Sequence, residues 1–379
     1  MIERDELAAW LRLVGTAGVG REAVRRLLAE FASPQRVLDA STAARRRLVG
    51  DAAATALAAE PPGFAALLAA TLAWLDDRPA DATGSGRDVL VLGDPRYPPS
   101  LLETADPPTL LYVEGRIELL GADAIAIVSS RNPTAQGLEN ARAFASHLSR
   151  AGLVVVSGLA LGIDGAAHEG ALDGQAAAAA GGTIAVVGTG LDLVYPARHR
   201  ALAHRIAAAG LLVSEFPIGT ASRPENFPIR NRIIAGLARG TLVVEAAMRS
   251  GSLITARLAL EAGREVFAIP GSIHSPQARG CNALLKQGAK LVDSAGDILE
   301  EFSLARPAPA GRSGTVEPPR SGKPDPVLAA LGFDPMSLDA LVARTGMGAA
   351  ELSARLLDLE LAGRVARLPG QVFQRVERG

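Results

Sequence analysis

Cysteine and histidine are scarce in this chain of 379 residues, and their scarcity excludes several kinds of site. The single cysteine, Cys281, cannot form an internal disulfide, and no cluster of histidine or cysteine surrounds it, so we expect a small core residue rather than a metal ligand. Five histidines leave few candidates for a catalytic triad. We predict no metal site and no cofactor, and the cysteine usage agrees with a reducing, cytoplasmic compartment.

Long apolar runs and a surplus of positive charge are also missing. No run of about 18 apolar residues without charge occurs, so we expect no membrane span. The first six residues, Met-Ile-Glu-Arg-Asp-Glu, do not resemble a secretory signal. The net charge of −1 does not by itself indicate a nucleic-acid binder, so any anion site must be local.

Changes in the apolar pattern divide the chain into four parts. Residues 1–78 carry the period of short amphipathic helices, 88–302 alternate short apolar runs with helical segments, 303–326 form a linker rich in Pro, Gly and Arg, and 327–379 form a small third domain. A second linker is predicted at 78–86. The glycine-punctuated turn at 14–20 is open to two interpretations, a phosphate-binding turn of the helix-hairpin-helix kind or a tight turn in a helical bundle.

Seven apolar runs rich in Val and Ile predict strands in the second part. Strands this uniformly apolar indicate burial on both faces, and the intervening helices indicate right-handed crossovers. The fold class predicted is therefore α/β, with a doubly wound parallel sheet. The runs are 124–128, 153–156, 183–187, 211–213, 241–244, 265–269 and 290–292.

The third domain reads as two helices followed by a hairpin around Pro369 and Gly370, which is the pattern of a winged helix. Its second helix places Arg355 among Glu351, Asp358 and Glu360. Because these carboxylates oppose DNA phosphate, we expect a module for protein contact or stability rather than a reader of DNA sequence.

The loops that follow the predicted strands are rich in small and hydroxyl residues. Because such loops share one edge of a parallel sheet, they predict a surface that binds phosphate. The loops are Ser129-Ser-Arg131, Ser157-Gly-Leu-Ala-Leu-Gly-Ile-Asp164, Gly188-Thr-Gly-Leu-Asp192 and Arg249-Ser-Gly-Ser-Leu-Ile-Thr255. Neither the dinucleotide fingerprint nor GxxxxGK[ST] nor GxSxG is present. His168 follows Asp164 by four residues on one helix face, and we expect it to hold a loop by a hydrogen bond.

Four arginines accompany these loops: Arg131, Arg198, Arg230 and Arg232. Arginine binds phosphate through two parallel hydrogen bonds and stacks on bases without changing its protonation. Each of them alone is more often a surface group or an ion-pair partner, of Glu215 or Glu245 for example. Together at one sheet edge they favour a polyanion ligand, and we predict a binding protein rather than an enzyme.

The ordered motifs between Ile127 and Lys290 resemble those of the DNA processing protein A family (DprA/Smf). The matching motifs are Ser130-Arg131, Ser157-Gly-Leu-Ala-Leu-Gly-Ile-Asp164 with His168, Gly188-Thr-Gly-Leu-Asp192 with Tyr195-Pro196, Ser214-Glu-Phe-Pro217, Phe227-Pro-Ile-Arg-Asn-Arg-Ile-Ile-Ala-Gly236, Val244-Glu245, Ser250-Gly-Ser-Leu-Ile-Thr-Ala256 and Gly280-Cys-Asn282. The helical N-terminal part, of SAM or helix-hairpin-helix type, and the winged helix also agree with common family architecture.

The resemblance implies an extended Rossmann-like domain that binds single-stranded DNA without sequence preference. It further implies a homodimer that loads the RecA recombinase during natural transformation. The predicted DNA-binding residues are Ser130, Arg131, Ser157, Gly158, Arg198, Arg230, Asn231, Arg232, Ser250, Gly251 and Ser252.

Two positions depart from the family pattern, since Ser129 replaces a usual glycine and His199 a common asparagine. The alternative function is a nucleotide hydrolase of the phosphoribohydrolase type. Such enzymes carry Pro-Gly-Gly-x-Gly-Thr before a catalytic glutamate. That signature is missing here, where Arg249-Ser-Gly-Ser follows Glu245.

Overall fold

The structure is a computed structural model that describes residues 2–77, 86–175, 181–303, 325–332 and 335–376. The predicted linker at 78–86 lies outside these residues except for Gly86, and the one at 303–326 lies outside them except for its ends. Within the described ranges, no helix is long and apolar enough to cross a membrane.

Five helices form the N-terminal domain, and the turn predicted at 14–20 connects the first two of them. Leu7, Leu11, Val24 and Leu27 are buried, as the amphipathic pattern predicts. Ser33 and Ser41 cap the third and fourth helices by accepting backbone N–H groups. The helices are α1 (Arg4–Gly15), α2 (Arg21–Phe31), α3 (Pro34–Asp39), α4 (Thr42–Ala56) and α5 (Phe64–Asp76).

A nine-stranded sheet forms the centre of the molecule, in the order β1-β2-β6-β5-β4-β3-β7-β8-β9. The seven predicted strands are confirmed and run parallel, from β6 to β9. The sheet is nevertheless mixed, because β2 pairs antiparallel with β6 and β1 antiparallel with β2. The strands are β1 (Gly86–Val91), β2 (Leu110–Gly115), β3 (Ala124–Val128), β4 (Val154–Ser157), β5 (Gly182–Val186), β6 (Leu211–Ser214), β7 (Gly240–Val243), β8 (Glu265–Ala268) and β9 (Lys290–Leu291).

The two antiparallel strands connect the sheet to the helical domain. The Tyr112 ring on β2 packs edge-on against Trp74 of α5, with centroids 5.9 Å apart. The Arg87 guanidinium on β1 lies over the same tryptophan and pairs with Glu114. The edge of the sheet is therefore covered and joined to the N-terminal domain.

Helices cover both faces of the sheet. Ile125 and Ile127 of β3 pack towards α7, α8 and α13, whereas Ala126 and Val128 pack towards α10, α11 and α12. Cys281 is fully buried in the second layer, as predicted. The helices of this domain are α6 (Pro99–Leu102), α7 (Ala135–Arg150), α8 (Ile163–Gly174), α9 (Arg200–Ala209), α10 (Asn226–Leu237), α11 (Ser252–Glu261), α12 (Arg279–Lys286) and α13 (Ala295–Glu301).

The strand order reverses at β3, because the chain passes first to β4 on one side and later places β7 on the other. Adjacent crossovers then lie on opposite faces of the sheet, and a crevice opens beyond the carboxyl ends of β3 and β7. Ligands of doubly wound folds bind at this position, so the topology selects the loops after β3 and β7 as the first place to look for a site.

The C-terminal domain is a winged helix, as predicted. Its core includes Leu331, Leu341, Leu356 and Phe373. The three strands pair in the order β10-β12-β11. The elements are α14 (Pro326–Leu331), β10 (Met336–Ser337), α15 (Leu338–Thr345), α16 (Ala349–Leu361), β11 (Val365–Leu368) and β12 (Val372–Arg375).

Candidate nucleic-acid interface

A cavity of about 920 Å³ opens at the switch point of the sheet. Loops after β3 and β7 form two of its walls, and α10 forms a third. Its lining includes Ser129, Ser130, Arg131, Asn132, Ala160, Asp164, Tyr195, Phe227, Arg230, Asn231, Arg249, Ser250, Gly251 and Ser252. Seven of the eleven predicted DNA-binding residues thus line one cavity: Ser130, Arg131, Arg230, Asn231, Ser250, Gly251 and Ser252.

The lining of this switch-point cavity is positively charged. The lining contains three arginines, Arg131, Arg230 and Arg249, and one carboxyl group, that of Asp164. Arg131 and Arg249 are exposed, and the Arg131 guanidinium lies 5.4 Å from the centre of the Phe227 ring. A guanidinium held against a ring keeps its N–H edge available for an anion.

Arg230 differs from the other two because it is buried, with only 5% of its surface exposed. Its Nη1 donates to the carbonyl of Gly158 at 2.6 Å and to that of Val186, while Nε donates to Asn231 Oδ1 at 3.0 Å. Burial lowers the pKa of Arg230 to about 10, although the charge of Asp164 opposes this shift. The side chain therefore joins α10 to the ends of β4 and β5 and gives the cavity its positive floor.

The loop after β4 is held by Asp164, whose Oδ2 accepts the N–H groups of Gly158 at 3.1 Å and Ala160 at 3.3 Å. Burial raises the pKa of this carboxyl group, while Arg230 and the two amides act in the opposite direction. Gly158 must lack a side chain, because a Cβ there would overlap the Arg230 guanidinium. Since Asp164 occupies both amides, the loop forms a wall of the cavity and does not present these amides to phosphate.

Four of the predicted DNA-binding residues do not line the cavity. Ser157 is fully buried and donates its hydroxyl to the Ile127 carbonyl at 2.7 Å. Gly158 contacts the Arg230 guanidinium, which donates to its carbonyl, and does not line the cavity. Arg198 is exposed on the short 3-10 turn Ala197–His199 and does not line the cavity.

Arg232, the fourth, belongs to an ion-pair network between domains. Its Nη2 donates to both carboxylate oxygens of Glu215 at 2.6 and 2.7 Å, and its Nε to Asp106 at 3.2 Å. Arg21 and Arg25 of α2 bind the same aspartate at 2.7 and 2.8 Å. Burial alone would raise the pKa of Asp106, but hydrogen bonds from these two arginines and the charge of Arg232 hold it far below its usual range.

The hydroxyl of Ser129, which stands at the family glycine position, connects the ends of β3 and β7. It accepts the Glu245 N–H at 2.6 Å and also contacts the Glu245 carbonyl, which accepts the Ser130 N–H at 3.0 Å. The Glu245 carboxylate points elsewhere and accepts the N–H and hydroxyl of Thr134 at 2.9 and 2.5 Å. Burial raises the pKa of this carboxyl group. Glu245 lines a separate cleft and not the switch-point cavity.

Polar donors surround the start of α11. The hydroxyls of Ser250 and Ser252 are 2.7 Å apart, and both residues line the cavity with Gly251 between them. Ser130, whose hydroxyl accepts the Asn132 N–H at 3.1 Å, lies across from them on the loop after β3. These hydroxyls and the helix start complement the arginines as partners of phosphate oxygens.

The two histidines of the family motifs, His168 and His199, form hydrogen bonds that stabilise the fold. His168 Nδ1 lies 2.7 Å from the Thr183 hydroxyl, which itself donates to the Val155 carbonyl, so Nδ1 carries the proton. His168 is held by a hydrogen bond, as predicted, but this bond joins α8 to β5, so the prediction that it holds a loop is wrong. His199 Nδ1 donates to the Leu159 carbonyl at 2.9 Å, so the residue that replaces asparagine supports the same loop.

The lining residues absent from the predicted set include one arginine, Arg249, and two aromatic residues, Tyr195 and Phe227. Arg249 had a sequence signal, since it follows β7 just as Arg131 follows β3. The two aromatic residues stand in the family motifs, but no local pattern pairs their rings, which lie 5.7 Å apart and come from the loop after β5 and the start of α10. Tyr195 is half exposed at the rim. In the part of the chain that the structure describes, no cluster of His, Cys, Asp or Glu is arranged to hold a metal ion.

Comparison with known proteins identifies the family. The family model for DNA recombination-mediator protein A matches residues 88–303, and the model for the DprA winged helix domain matches 308–371. The chain is 44% identical over 280 residues to protein Smf of Escherichia coli K12, covering 72% of this chain and 74% of that one. It is 48% identical over 211 residues to DNA processing protein DprA of Streptococcus pneumoniae R6, covering 56% and 73%.

A solved structure agrees with these sequence matches. The X-ray structure of DNA processing protein A from Streptococcus pneumoniae aligns with a TM-score of 0.65 at 36% identity, covering 79% of this chain and 98% of that chain. The chain thus belongs to the DNA recombination-mediator protein A family, DprA/Smf.

Proposed function

We propose that this protein binds single-stranded DNA without sequence preference in the switch-point cavity and loads RecA onto that strand. The observation that carries the proposal is the convergence of Arg131, Arg230 and Arg249 on one cavity that also holds the hydroxyl-rich start of α11. Guanidinium groups bind phosphate with charge-assisted hydrogen bonds and need no base to accept a proton. Membership of a recombination-mediator family supports the same ligand.

The aromatic rim favours a single strand over a duplex. Tyr195 is half exposed and lies beside Phe227, so its ring offers a surface on which an unpaired base can stack. A duplex keeps its base faces covered by stacking. Phosphate contacts and ring stacking are both indifferent to base identity, which is why we expect no sequence preference.

The recombinase, the oligomeric state and natural transformation enter the proposal through the family. We expect a homodimer that holds the strand and recruits RecA, with the chemistry of strand exchange left to the recombinase. No catalytic residue is assigned to this chain, and no membrane partner is expected.

Binding of fluorescent oligonucleotides, followed by anisotropy over a series of salt concentrations, tests the DNA part. We expect a steep loss of affinity with salt, and a log–log slope reduced by about one in Arg131→Ala and in Arg249→Ala. Arg257→Ala is the matched control, because Arg257 is an exposed arginine on α11 outside the cavity lining. A slope unchanged in both cavity variants, or tighter binding of duplex than of single strand, contradicts the proposed site.

RecA loading is tested separately. A single strand precoated with single-strand-binding protein delays the DNA-dependent ATPase of RecA, and the wild-type chain should shorten that delay more than Arg131→Ala or Arg249→Ala does. If DNA binds and the delay persists with the wild type, the recombinase part is wrong and the DNA part stands.

The hydrolase alternative is less well supported by the geometry. Glu245, which precedes the loop that lacks the hydrolase signature, accepts two hydrogen bonds from Thr134 and lines another cleft. Incubation with nucleoside monophosphates decides the matter, since release of free base would favour the hydrolase.

A further inference from the structure

The second helix of the winged helix, α16, has an exposed apolar stripe that its own domain does not use. Leu352, Leu356 and Leu359 are buried where α16 packs on α14, α15 and β11. On another side of the helix, Leu357 is 54% exposed and Leu361 is 80% exposed. Exposed leucines four residues apart on a helix form one continuous patch.

Two exposed alanines extend this patch towards the start of the helix. The positions Ala350, Ala354, Leu357 and Leu361 are separated by four, three and four residues. This is the spacing of the a and d positions that pack one helix against another in a coiled coil. We call these four residues the α16 seam.

The charges beside the seam are acidic. In the same heptad register, Glu351 and Asp358 occupy the positions on one side of the seam, and Ser353 and Glu360 those on the other. The one arginine of the helix, Arg355, is neutralised by Asp325, which accepts from its Nη2 at 2.6 Å and its Nε at 3.1 Å. A partner helix therefore meets leucines bordered by carboxylates.

We propose that the α16 seam binds an amphipathic helix of another protein, one whose apolar stripe is flanked by Lys or Arg. Charge complementarity chooses this occupant. A second copy of α16 would place carboxylates against carboxylates, and DNA phosphate would be repelled by the same groups. The seam thus gives the winged helix a protein partner, independent of the DNA site in the switch-point cavity.

Two synthetic peptides test the proposal with the full chain. Both carry about three heptads with Leu at a and d, and they differ only at e and g, which hold Lys in one peptide and Glu in the other. Fluorescence anisotropy should show the basic peptide binding at least ~10-fold more tightly than the acidic one. Equal affinities, or no binding of the basic peptide, overturn the proposal.

Variants of the seam locate the binding. Leu357→Ser combined with Leu361→Ser should weaken the basic peptide by about 10-fold or more, because two exposed leucines lose their apolar contact. Leu102→Ser, which removes a comparably exposed leucine from α6, should leave the affinity unchanged. Equal weakening in both variants, or none in the seam variant, overturns the proposal.

Charge reversal provides a test that does not depend on the leucine variant remaining folded. Glu351→Lys combined with Asp358→Lys should weaken binding of the basic peptide and strengthen binding of the acidic one, and an unchanged preference overturns the proposal.

Sedimentation velocity should show the same oligomeric state for the wild type and the seam variant. A smaller species in the folded seam variant, as judged by circular dichroism, would mean that the seam joins copies of this chain, which also overturns it.

Discussion

Arg230→Ala is expected to destabilise the fold, which an arginine that only contacts DNA would not do. The guanidinium is buried and donates to the carbonyls of Gly158 and Val186, at the ends of two neighbouring strands. Removing it leaves both carbonyls without that donor and leaves Asp164 without its nearest positive charge. The perturbation therefore acts on the architecture of the cavity before it acts on any ligand.

The magnitude follows from the groups that lose a partner. A hydrogen bond from a charged donor contributes about 1.5–3 kcal/mol, so two of them amount to roughly 3–6 kcal/mol. The cost of burying the guanidinium offsets part of this, as the lowered pKa of about 10 indicates. We expect a net loss of about 3 kcal/mol, equivalent to about 6–12 °C in the midpoint of thermal unfolding for a domain of this size.

Urea and thermal unfolding of Arg230→Ala, Arg131→Ala and the wild type provide the measurement. Arg131 is the matched control, because it lines the same cavity but is exposed, and its loss should cost no more than about 0.5 kcal/mol. Arg230→Lys keeps the charge without the fork of donors and should fall between wild type and Arg230→Ala. An unchanged midpoint for Arg230→Ala, or equal destabilisation by Arg131→Ala, would refute the reasoning.

Three further variants test other parts of the structure. His168 is buried and neutral, with burial lowering its pKa from 6.5 to about 3, so its contribution to stability is full above pH 6.5 and is lost at about 1.4 kcal/mol per unit as pH falls from 6.5 towards 3. His168→Gln should flatten the stability profile in that window, as measured by urea unfolding at pH 7 and pH 5. Ser129→Gly removes the hydroxyl that connects β3 to Glu245 and should cost about 1 kcal/mol, measured by thermal unfolding. Asp106→Asn leaves three arginines without their shared carboxylate and should accelerate proteolysis between the N-terminal domain and the sheet, with a loss of about 2–3 kcal/mol.

Each of these expectations has a result that contradicts it. A His168→Gln profile that falls as steeply as the wild type between pH 7 and pH 5 would mean that another group titrates there. A stabilised Ser129→Gly would show that the serine strains the loop instead of connecting the strands. Asp106→Asn with the cleavage rate of the wild type would mean that apolar contacts alone hold the N-terminal domain, and Asp123→Asn, at an exposed ion pair, is its control.

Most of the fold was predictable because burial on both faces leaves a strong signal in the sequence. Runs such as Ala124–Val128 contain nothing but apolar residues, and all seven of them became strands. The strands β1 and β2 were missed although each contains an apolar run. In β1 the polar Arg87 and Asp88 precede three apolar residues, and in β2 residues 110–113 form an apolar run that the prediction did not include.

Only the location of the candidate site, at the switch point of the sheet, was predictable from the topology. Arg131 follows a strand beside the switch point, so its position at the cavity came from strand order alone. Strand order does not predict the hydrogen-bond partners of Arg230 and Arg232, although these residues lie two positions apart on α10. One guanidinium reaches carbonyls at the ends of β4 and β5, and the other reaches carboxylates at Asp106 and Glu215. These partners are distant in the sequence, and no local pattern announces them.

The aspartate that holds the loop after β4 has a consequence for the kinetics of the DNA binding that we propose. Because Asp164 supplies the acceptor for the Gly158 and Ala160 amides, the loop keeps its shape through its own side chain rather than through a ligand's phosphate. Because this wall of the cavity is already formed before single-stranded DNA binds, binding there costs no entropy for ordering the loop. Association should then be governed by electrostatic encounter with the exposed Arg131 and Arg249, and its rate should fall with salt while dissociation changes much less.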